Sequence, residues 1–167
     1  IRSEEDGADA IIIQGTEGGG HTGFVASSVL IPLVADKVSI PVVAAGGFGD
    51  GRGLLAALAL GAEGVSMGSR FMATQECPIP LHVKEWMVRS GEQDTIVTDN
   101  LTGVRCRVIK NKFSQSLIDM QKRKLSAWEM MEHATGRFKK AFDEGDLEEG
   151  SVACGQIVGM INDIPTC

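Results

Sequence analysis

The sequence has no long apolar run and fewer basic than acidic residues. These two features argue against membrane association and nucleic-acid binding. Of its 167 residues, 16 are lysine or arginine and 22 are aspartate or glutamate, which gives a formal charge of −6. Without a basic stripe, nucleic acid is not an expected partner. No apolar stretch approaches the roughly 18 residues that span a bilayer, and no signal peptide is visible, so we expect no membrane association. The expected partner is a small-molecule substrate.

Paired cysteines and the common nucleotide motifs are also absent. The four cysteines, at positions 77, 106, 154 and 167, form no CxxC pair. This scatter favours reduced thiols in a cytoplasmic protein over a disulfide framework or a metal site. The sequence contains neither GxGxxG nor GxxxxGK[ST], so neither a dinucleotide fingerprint nor a P-loop accounts for its glycines.

Glycine is abundant, at 21 of 167 residues against an average share of about 7%. The glycines follow predicted strands. The apolar run at 10–14 contains three consecutive isoleucines and predicts a buried strand, and GTEGGGHTG follows it at 15–23. A second apolar run at 40–45 leads into GGFGDG at 46–51. A third, at 64–67, leads into Gly68 and Ser69.

Repetition of strand, glycine loop and helix is the pattern of a βα protein with a parallel sheet. We expect the strands at 9–14, 41–45 and 64–67 to be adjacent and parallel, with all three glycine loops at one edge. Asp50 is a good N-cap for a helix over 52–60, and Gly61 is a good stop. Ser27 and Ser28 are the expected caps of a helix through residue 38, with Pro32 tolerated only in its first turn.

From residue 78 onward the pattern changes to a mainly helical region. Helices are predicted at 81–90, 115–124, 128–131 and 137–142, with a short hairpin of 95–98 against 104–109. A last helix is predicted to begin near Ser151. The expected core residues of this region are Trp86, Trp128, Met130 and Met131. Gly155 and Gly159 stand four apart, which fits either close helix packing or contact with a site.

Glycine loops on neighbouring strands, each before a helix, suit a phosphate, because free N–H groups and the helix dipole favour an anion. (β/α)8 barrels build their usual phosphate site after their last two strands. His21 is the only histidine in these loops. Taken alone, it fits a surface turn with an incidental histidine as well as a catalytic group.

Three stretches together carry a resemblance: QGTEGGGH at 14–21, IPVVAAGGFGDGRG at 40–53, and GAEGVSMGSRF at 61–71. They are similar to the nitronate monooxygenase family, formerly the 2-nitropropane dioxygenases, whose pattern includes the flavin-dependent enoyl-[acyl-carrier-protein] reductases. The tail is similar too, though less diagnostically. Gly18 stands where alanine is more frequent in the family, and Ser69 stands where threonine is common.

The resemblance implies an FMN enzyme on a (β/α)8 TIM barrel, an α/β fold. Residues 1–77 would supply its last three strands, and residues 78–167 a mainly helical lid, truncated at its end. The amino-terminal half of the barrel, with five strands, would be missing, and a homodimer would be an expected assembly. By matching positions, His21 would be catalytic over the isoalloxazine. The implied cofactor contacts are Gln14 and Gly19 to the flavin, and Gly46, Gly47, Ser66, Met67, Gly68 and Ser69 to its phosphate.

The favoured interpretation is a nitronate monooxygenase that oxidises nitroalkanes or nitronates with dioxygen, with His21 as general base or acid. The alternative within the family is an enoyl-[acyl-carrier-protein] reductase, which would use NAD(P)H. An IMP dehydrogenase type of barrel shares a loop resembling Ala45-Gly46-Gly47 but needs a nucleophilic cysteine at the barrel mouth, where this sequence offers His21. A phosphate-binding barrel without catalysis is the non-enzymatic alternative, and its protein would be colourless.

Overall fold

The structure is a computed structural model that describes residues 2–99 and 105–167. In these residues the strands are β1 (Ile11–Gln14), β2 (Gly20–His21), β3 (Val42–Ala45), β4 (Gly64–Ser66), β5 (Thr95–Asp99) and β6 (Arg105–Ile109). The helices are α1 (Arg2–Glu5), α2 (Ser27–Ala35), α3 (Gly51–Ala59), α4 (Ser69–Met72), α5 (Leu81–Arg89), α6 (Lys112–Lys122), α7 (Ala127–Ala134) and α8 (Arg137–Phe142). A 3₁₀ helix spans Gln156–Met160.

The first sheet is parallel and has the order β1-β3-β4. Ile13 stands opposite Ala44, and Ala44 opposite Val65, so all three glycine loops follow the strands at one edge of the sheet. The prediction of adjacent parallel strands is therefore confirmed. One side of β1 packs into a core with Ile31 of α2, which is fully buried. The other side is open, since Ile12 is 66% exposed.

Side-chain carboxylates cap both helices of this sheet. The Asp50 carboxylate accepts hydrogen bonds from the backbone N–H groups of Arg52 and Gly53, which confirms the predicted cap of α3. At α2 the predicted serine cap is wrong, because the Glu17 carboxylate from the glycine loop accepts from the backbone N–H of Ser27 at 3.1 Å. The expectation that α2 tolerates Pro32 only in its first turn is also wrong, because Pro32 is the sixth residue of the helix.

The second sheet is antiparallel and has the order β2-β6-β5. The predicted hairpin is present as β5 and β6, and residue 104 of that prediction lies outside the described residues. The short strand β2 was not predicted. It places Gly20 opposite Arg107 and His21 opposite Cys106. The glycine loop thus connects the parallel sheet to the antiparallel sheet.

A second core lies beneath α5 and the 3₁₀ helix, with Val83, Met87, Val158 and Ile161 almost fully buried. Trp86 packs against this core and Met130 is buried, as predicted. The core assignment is wrong for Trp128, which is 73% exposed, and for Met131. These two side chains lie on the outer face of α7, since α7 buries only Met130.

The carboxyl-terminal segment differs from the prediction. No helix begins near Ser151; the chain stays extended there, and Ala153 makes a bridge with Val108 before the 3₁₀ helix starts at Gln156. Among residues 2–99 and 105–167, no helix combines the length and apolar character needed to cross a bilayer.

Candidate functional site

A cavity of about 210 Å³ lies at the carboxyl edge of the parallel sheet. It is lined by Gln14, Gly18, Gly19, Ala45, Gly46, Gly47, Phe48, Ser66, Gly68, Ser69, Met72, Ala153, Gly155 and Ile157. None of these lining residues carries a charge. An anion in this cavity would therefore be held by backbone N–H groups and hydroxyls. Such donors form anion sites where they cluster at strand and helix ends.

Two glycines of the second loop adopt backbone conformations that other residues rarely reach. Gly46 has φ +87° and Gly47 has φ +81°. A Cβ on Gly46 would also lie 2.9 Å from the Gly15 carbonyl oxygen, so the two glycine loops touch through their backbones. At Gly68 the situation is the opposite, because a Cβ there would meet nothing within 4 Å. Gly68 therefore leaves free space on the cavity wall.

Hydrogen-bond donors are available at this wall. Ser69 is buried, and its hydroxyl oxygen accepts from the backbone N–H of Gly155 at 2.9 Å, which leaves its own proton free to donate. In the described part of the chain, the backbone N–H groups of Gly47, Gly68 and Ser69 have no acceptor. The third glycine loop and the carboxyl-terminal segment thus form one polar wall.

The first glycine loop is packed directly on the carboxyl-terminal segment. A Cβ on Gly19 would lie 2.5 Å from the carbonyl carbon of Cys154, and the Glu17 carbonyl accepts from the Gln156 N–H at 2.9 Å. Burial raises the pKa of the Cys154 thiol to about 11. This cysteine is consequently a neutral packing residue and not a nucleophile.

The structure places His21 beside the cavity and not in its lining. Its side chain is exposed on β2. The Gln14 amide, which does line the cavity, donates a hydrogen bond to the His21 carbonyl oxygen at 2.7 Å. This bond connects the end of β1 to the backbone of His21 on β2.

Two charged side chains at the first glycine loop form hydrogen bonds with protein groups and do not line the cavity. Arg107 is 8% exposed, and its guanidinium donates to the Thr16 carbonyl at 3.0 and 3.2 Å. Burial lowers the pKa of Arg107 from its ordinary value. The Glu17 carboxylate is engaged by the backbone and hydroxyl of Ser27. Sequence reasoning missed Arg107, since nothing local marks a residue that acts 91 positions away.

The cavity unites seven of the nine residues singled out from the sequence: Gln14, Gly19, Gly46, Gly47, Ser66, Gly68 and Ser69. Met67 is not among its lining residues and packs against the core below the sheet. Among the other lining residues, Gly155 was marked in the sequence only by its spacing of four residues from Gly159, which fitted either helix packing or contact with a site. Gly155 does contact the site, while Gly159 packs on Glu92.

The cavity suits the phosphate end of a larger ligand. Its neutral donors match phosphate oxygens, and its volume lies below the roughly 300 to 1,000 Å³ of a complete small-molecule pocket. The rest of such a ligand would extend beyond the wall formed by these residues.

Fold and cavity together define a βα unit with a cavity built largely from the backbone at the carboxyl ends of its parallel strands. The chain belongs to the nitronate monooxygenase family, whose sequence profile matches residues 2–167.

Individual relatives differ in the chemistry that their names describe. The chain is 40% identical to a (3aS,4S,5R,7aS)-5-hydroxy-7a-methyl-1-oxo-octahydro-1H-indene-4-carboxyl-CoA dehydrogenase of Rhodococcus jostii, over 96% of this chain and 56% of that protein. Among solved structures, FabK from Thermotoga maritima matches 99% of this chain and 52% of its own with 42% identity and a TM-score of 0.93. A nitroalkane oxidase from Streptomyces ansochromogenes matches 98% of this chain and 50% of its own with 32% identity and a TM-score of 0.81.

These similarities confirm that the chain forms part of a TIM barrel of the nitronate monooxygenase and FabK type. The chain spans about half the length of the relatives that it matches.

Proposed function

We propose that this chain carries the FMN-phosphate side and the proton-transfer residue of an oxidoreductase that oxidises nitroalkanes or nitronates with dioxygen. The observation that carries the proposal is the uncharged cavity of glycine backbone at the edge of the parallel sheet. Its donors fit a phosphate monoester, and membership of a flavin-dependent family supports FMN as the cofactor.

In this proposal the phosphate is held at the second and third glycine loops. Gly46 and Gly47 bring their backbone close to it, and the region from Ser66 to Ser69 supplies N–H groups and hydroxyls. Met67 would contribute through its backbone alone, because its side chain packs in the core. Gln14 and Gly19 would contact the flavin. When bound, FMN supplies the electron-transfer chemistry.

His21 is proposed to move the substrate proton. An imidazole suits this role because its unperturbed pKa lies near neutral pH. A neutral nitroalkane must lose a proton from the carbon beside its nitro group, and the exposed His21 ring on β2 is free to accept it. The Gln14 amide, which lines the cavity, holds the His21 backbone through its carbonyl oxygen.

A second candidate is the reduction of an enoyl thioester with NAD(P)H. It is favoured by the similarity to FabK, an enoyl-acyl-carrier-protein reductase, and to the CoA-ester dehydrogenase. The same cavity and the same His21 would serve this reaction, with His21 donating a proton instead of accepting one.

The remaining predictions concern the whole protein. We propose that residues outside this sequence complete the barrel, because one face of the parallel sheet is open at Ile12. A cytoplasmic location is supported by the four free cysteines. A homodimer stays a prediction, as does the division into residues 1–77 and 78–167.

The test is reduction of the flavin of the intact protein without oxygen. A protein that is yellow and is bleached by propyl-1-nitronate, and not by NADH or NADPH, has the proposed activity. Bleaching by NAD(P)H followed by reoxidation with crotonyl-CoA or a crotonyl carrier protein assigns the second candidate. A colourless protein that binds no FMN excludes both and leaves a non-catalytic barrel.

A further inference from the structure

The loop that carries His21 is rich in glycine. Residues 15–23 include five glycines, and strand β2 within them has only two residues. Because glycine restricts the backbone least, a loop of this composition keeps one shape only where other groups hold it. For a general base this matters, since a displacement of about 1 Å can cost about 10²-fold in rate. The groups that hold the loop therefore affect what His21 can do.

Strand β6 holds this loop through its backbone and through one side chain. Its backbone pairs with β2, where Gly20 stands opposite Arg107. The Arg107 side chain extends from this pairing to the Thr16 carbonyl, which accepts from Nε at 3.2 Å and from Nη2 at 3.0 Å. Its Nη1 donates to the Thr95 hydroxyl of β5 at 3.0 Å. One guanidinium thus connects the glycine loop to β5 across β6.

Arg107 is a cation buried among neutral acceptors. It is 8% exposed, and within residues 2–99 and 105–167 it forms no ion pair with a carboxylate. The Glu17 carboxylate attracts it, but from beyond ion-pair distance. A buried charge without a counter-ion in contact costs free energy, so an apolar side chain of similar size would be the cheaper packing residue. What the arginine adds is a rigid fork that directs two N–H groups at one carbonyl oxygen.

We propose that Arg107 is the positioning residue of His21. Its guanidinium fixes the Thr16 carbonyl near the start of the loop, and thereby keeps the imidazole on β2 within reach of the substrate carbon. The inference rests on the proposed function of His21 and adds a residue that touches neither substrate nor cofactor. It also makes proton transfer depend on the antiparallel sheet, because the fork belongs to β6.

The test compares Arg107→Met with Arg137→Met in the intact FMN-loaded protein. Arg137 is the matched control, because its largely buried guanidinium also donates to backbone carbonyls, those of His133 and Glu149. We expect Arg107→Met to lower kcat for a neutral nitroalkane by about tenfold or more, with KM and FMN affinity within about threefold of the parent. Arg137→Met should keep kcat within about twofold. Equal losses of kcat in both variants would overturn the proposal.

A double-mutant cycle connects the effect to the imidazole. In His21→Asn, the further change Arg107→Met should lower nitroalkane turnover by less than about twofold, because the group that Arg107 positions is absent. Losses that multiply in the double variant would mean that Arg107 acts independently of His21, and would overturn the proposal.

Hydrogen exchange separates this inference from the function beneath it. Amide exchange of residues 15–23, measured by mass spectrometry, should be about tenfold faster in Arg107→Met and unchanged in Arg137→Met. Faster exchange in a protein whose parent converts neither nitroalkane nor nitronate removes the proposed function and supports the hold of Arg107 on the loop; the cycle is then measured on an enoyl thioester with NAD(P)H. Unchanged exchange overturns the positioning role. If Arg107→Met fails to fold, Arg107→Lys replaces it, since lysine keeps the charge and loses the fork, and kcat should fall by about threefold or more.

Discussion

The hydroxyl oxygen of Ser69 accepts a hydrogen bond of 2.9 Å from the backbone N–H of Gly155. Both groups are buried, and the bond connects the amino-terminal end of α4 to the carboxyl-terminal segment. One serine thus fixes the wall of the cavity and keeps its own proton available for a ligand.

Replacement of Ser69 by alanine should weaken both the fold and cofactor binding. The Gly155 N–H would lose its acceptor, which costs about 1 to 3 kcal/mol for a buried donor. We expect a loss of that size in the free energy of unfolding, measured with urea, and at least a tenfold weaker FMN affinity in a fluorescence titration. Ser69→Thr keeps the hydroxyl and is the control. Equal FMN affinity in Ser69→Ala and the parent would contradict the role.

Two glycine-to-alanine substitutions should separate packing from ligand binding. In Gly19→Ala the new Cβ meets backbone atoms of Cys154, so we expect a loss of at least about 1 to 3 kcal/mol in unfolding free energy. In Gly68→Ala the Cβ meets no protein atom, and φ is −86°, so stability should stay within about 0.5 kcal/mol.

FMN affinity is the second measurement on this pair. Gly68→Ala should lose affinity despite its normal stability, because the methyl group fills space on the cavity wall. If Gly68→Ala binds FMN as the parent does, the phosphate does not lie at the third glycine loop.

His21→Asn should retain FMN and stay yellow, because His21 does not line the cavity. Its turnover of a neutral nitroalkane should fall by roughly 10² to 10⁴, the usual contribution of a general base. Turnover of the preformed nitronate, which needs no deprotonation, should fall much less. Equal losses on both forms would show that His21 positions the substrate and does not take its proton. If neither form reacts in the parent, the variant is compared on an enoyl thioester with NAD(P)H.

Lys84 is a buried cation whose role is structural. It is 6% exposed, and its ammonium group donates to the carbonyls of Thr74 at 2.6 Å and Cys77 at 2.7 Å. Lys84→Met would leave these carbonyls without a donor, and we expect it to lower the free energy of unfolding by about 2 to 4 kcal/mol. Lys122→Met removes an exposed partner of Asp119 and should cost less than about 1 kcal/mol. Similar values for both would disprove the anchoring role.

His133 should make stability depend on pH. Burial, together with the Arg137 charge, lowers the pKa of His133 below its usual 6.5. A guanidinium only donates, so the 3.3 Å contact of Arg137 with Nδ1 requires a neutral ring whose Nε2–H donates to Ser116. Below pH 6.5 the unfolded state binds more protons than the folded state, so this contribution is complete above pH 6.5 and is lost as pH falls through the lower folded value.

We expect the urea-derived free energy of unfolding to fall between pH 7 and pH 5, and to fall less in His133→Gln, which keeps a donor and cannot titrate. His82→Gln is the control, since the ring of His82 on α5 contacts the Ala141 carbonyl of α8 at 2.7 Å and glutamine keeps a donor there. The same slope in His133→Gln and the parent would show that His133 does not contribute.

The sequence predicted the parts of this molecule that depend on local chemistry. The strand at Ile11–Gln14 follows from its β-branched run, and the cap at Asp50 from the residue type at a helix start. The grouping of Gly46, Gly47 and Gly68 at one edge follows from the rule that parallel strands end together.

The errors share one cause, which is contact between distant positions. The cap of α2 is not Ser27 but Glu17, ten residues earlier, and strand β2 exists because β6 lies beside it. The side chain of Trp128 was assigned to the core because it is large and apolar, but α7 turns it to solvent. Periodicity in so short a helix does not decide which face is covered.

The links across the glycine-rich loop also impose an order on assembly. The Thr16 carbonyl accepts a hydrogen bond from Arg107, which lies 91 residues further along the chain. The Ser69 hydroxyl accepts one from the backbone N–H of Gly155, 86 residues further along. During synthesis at the ribosome, β1, β3 and β4 are complete long before these partners emerge. Contacts of such sequence separation form slowly, because the chain must close a large loop first. The parallel sheet can thus form early, while His21 reaches its place on β2 only after β6 has been made.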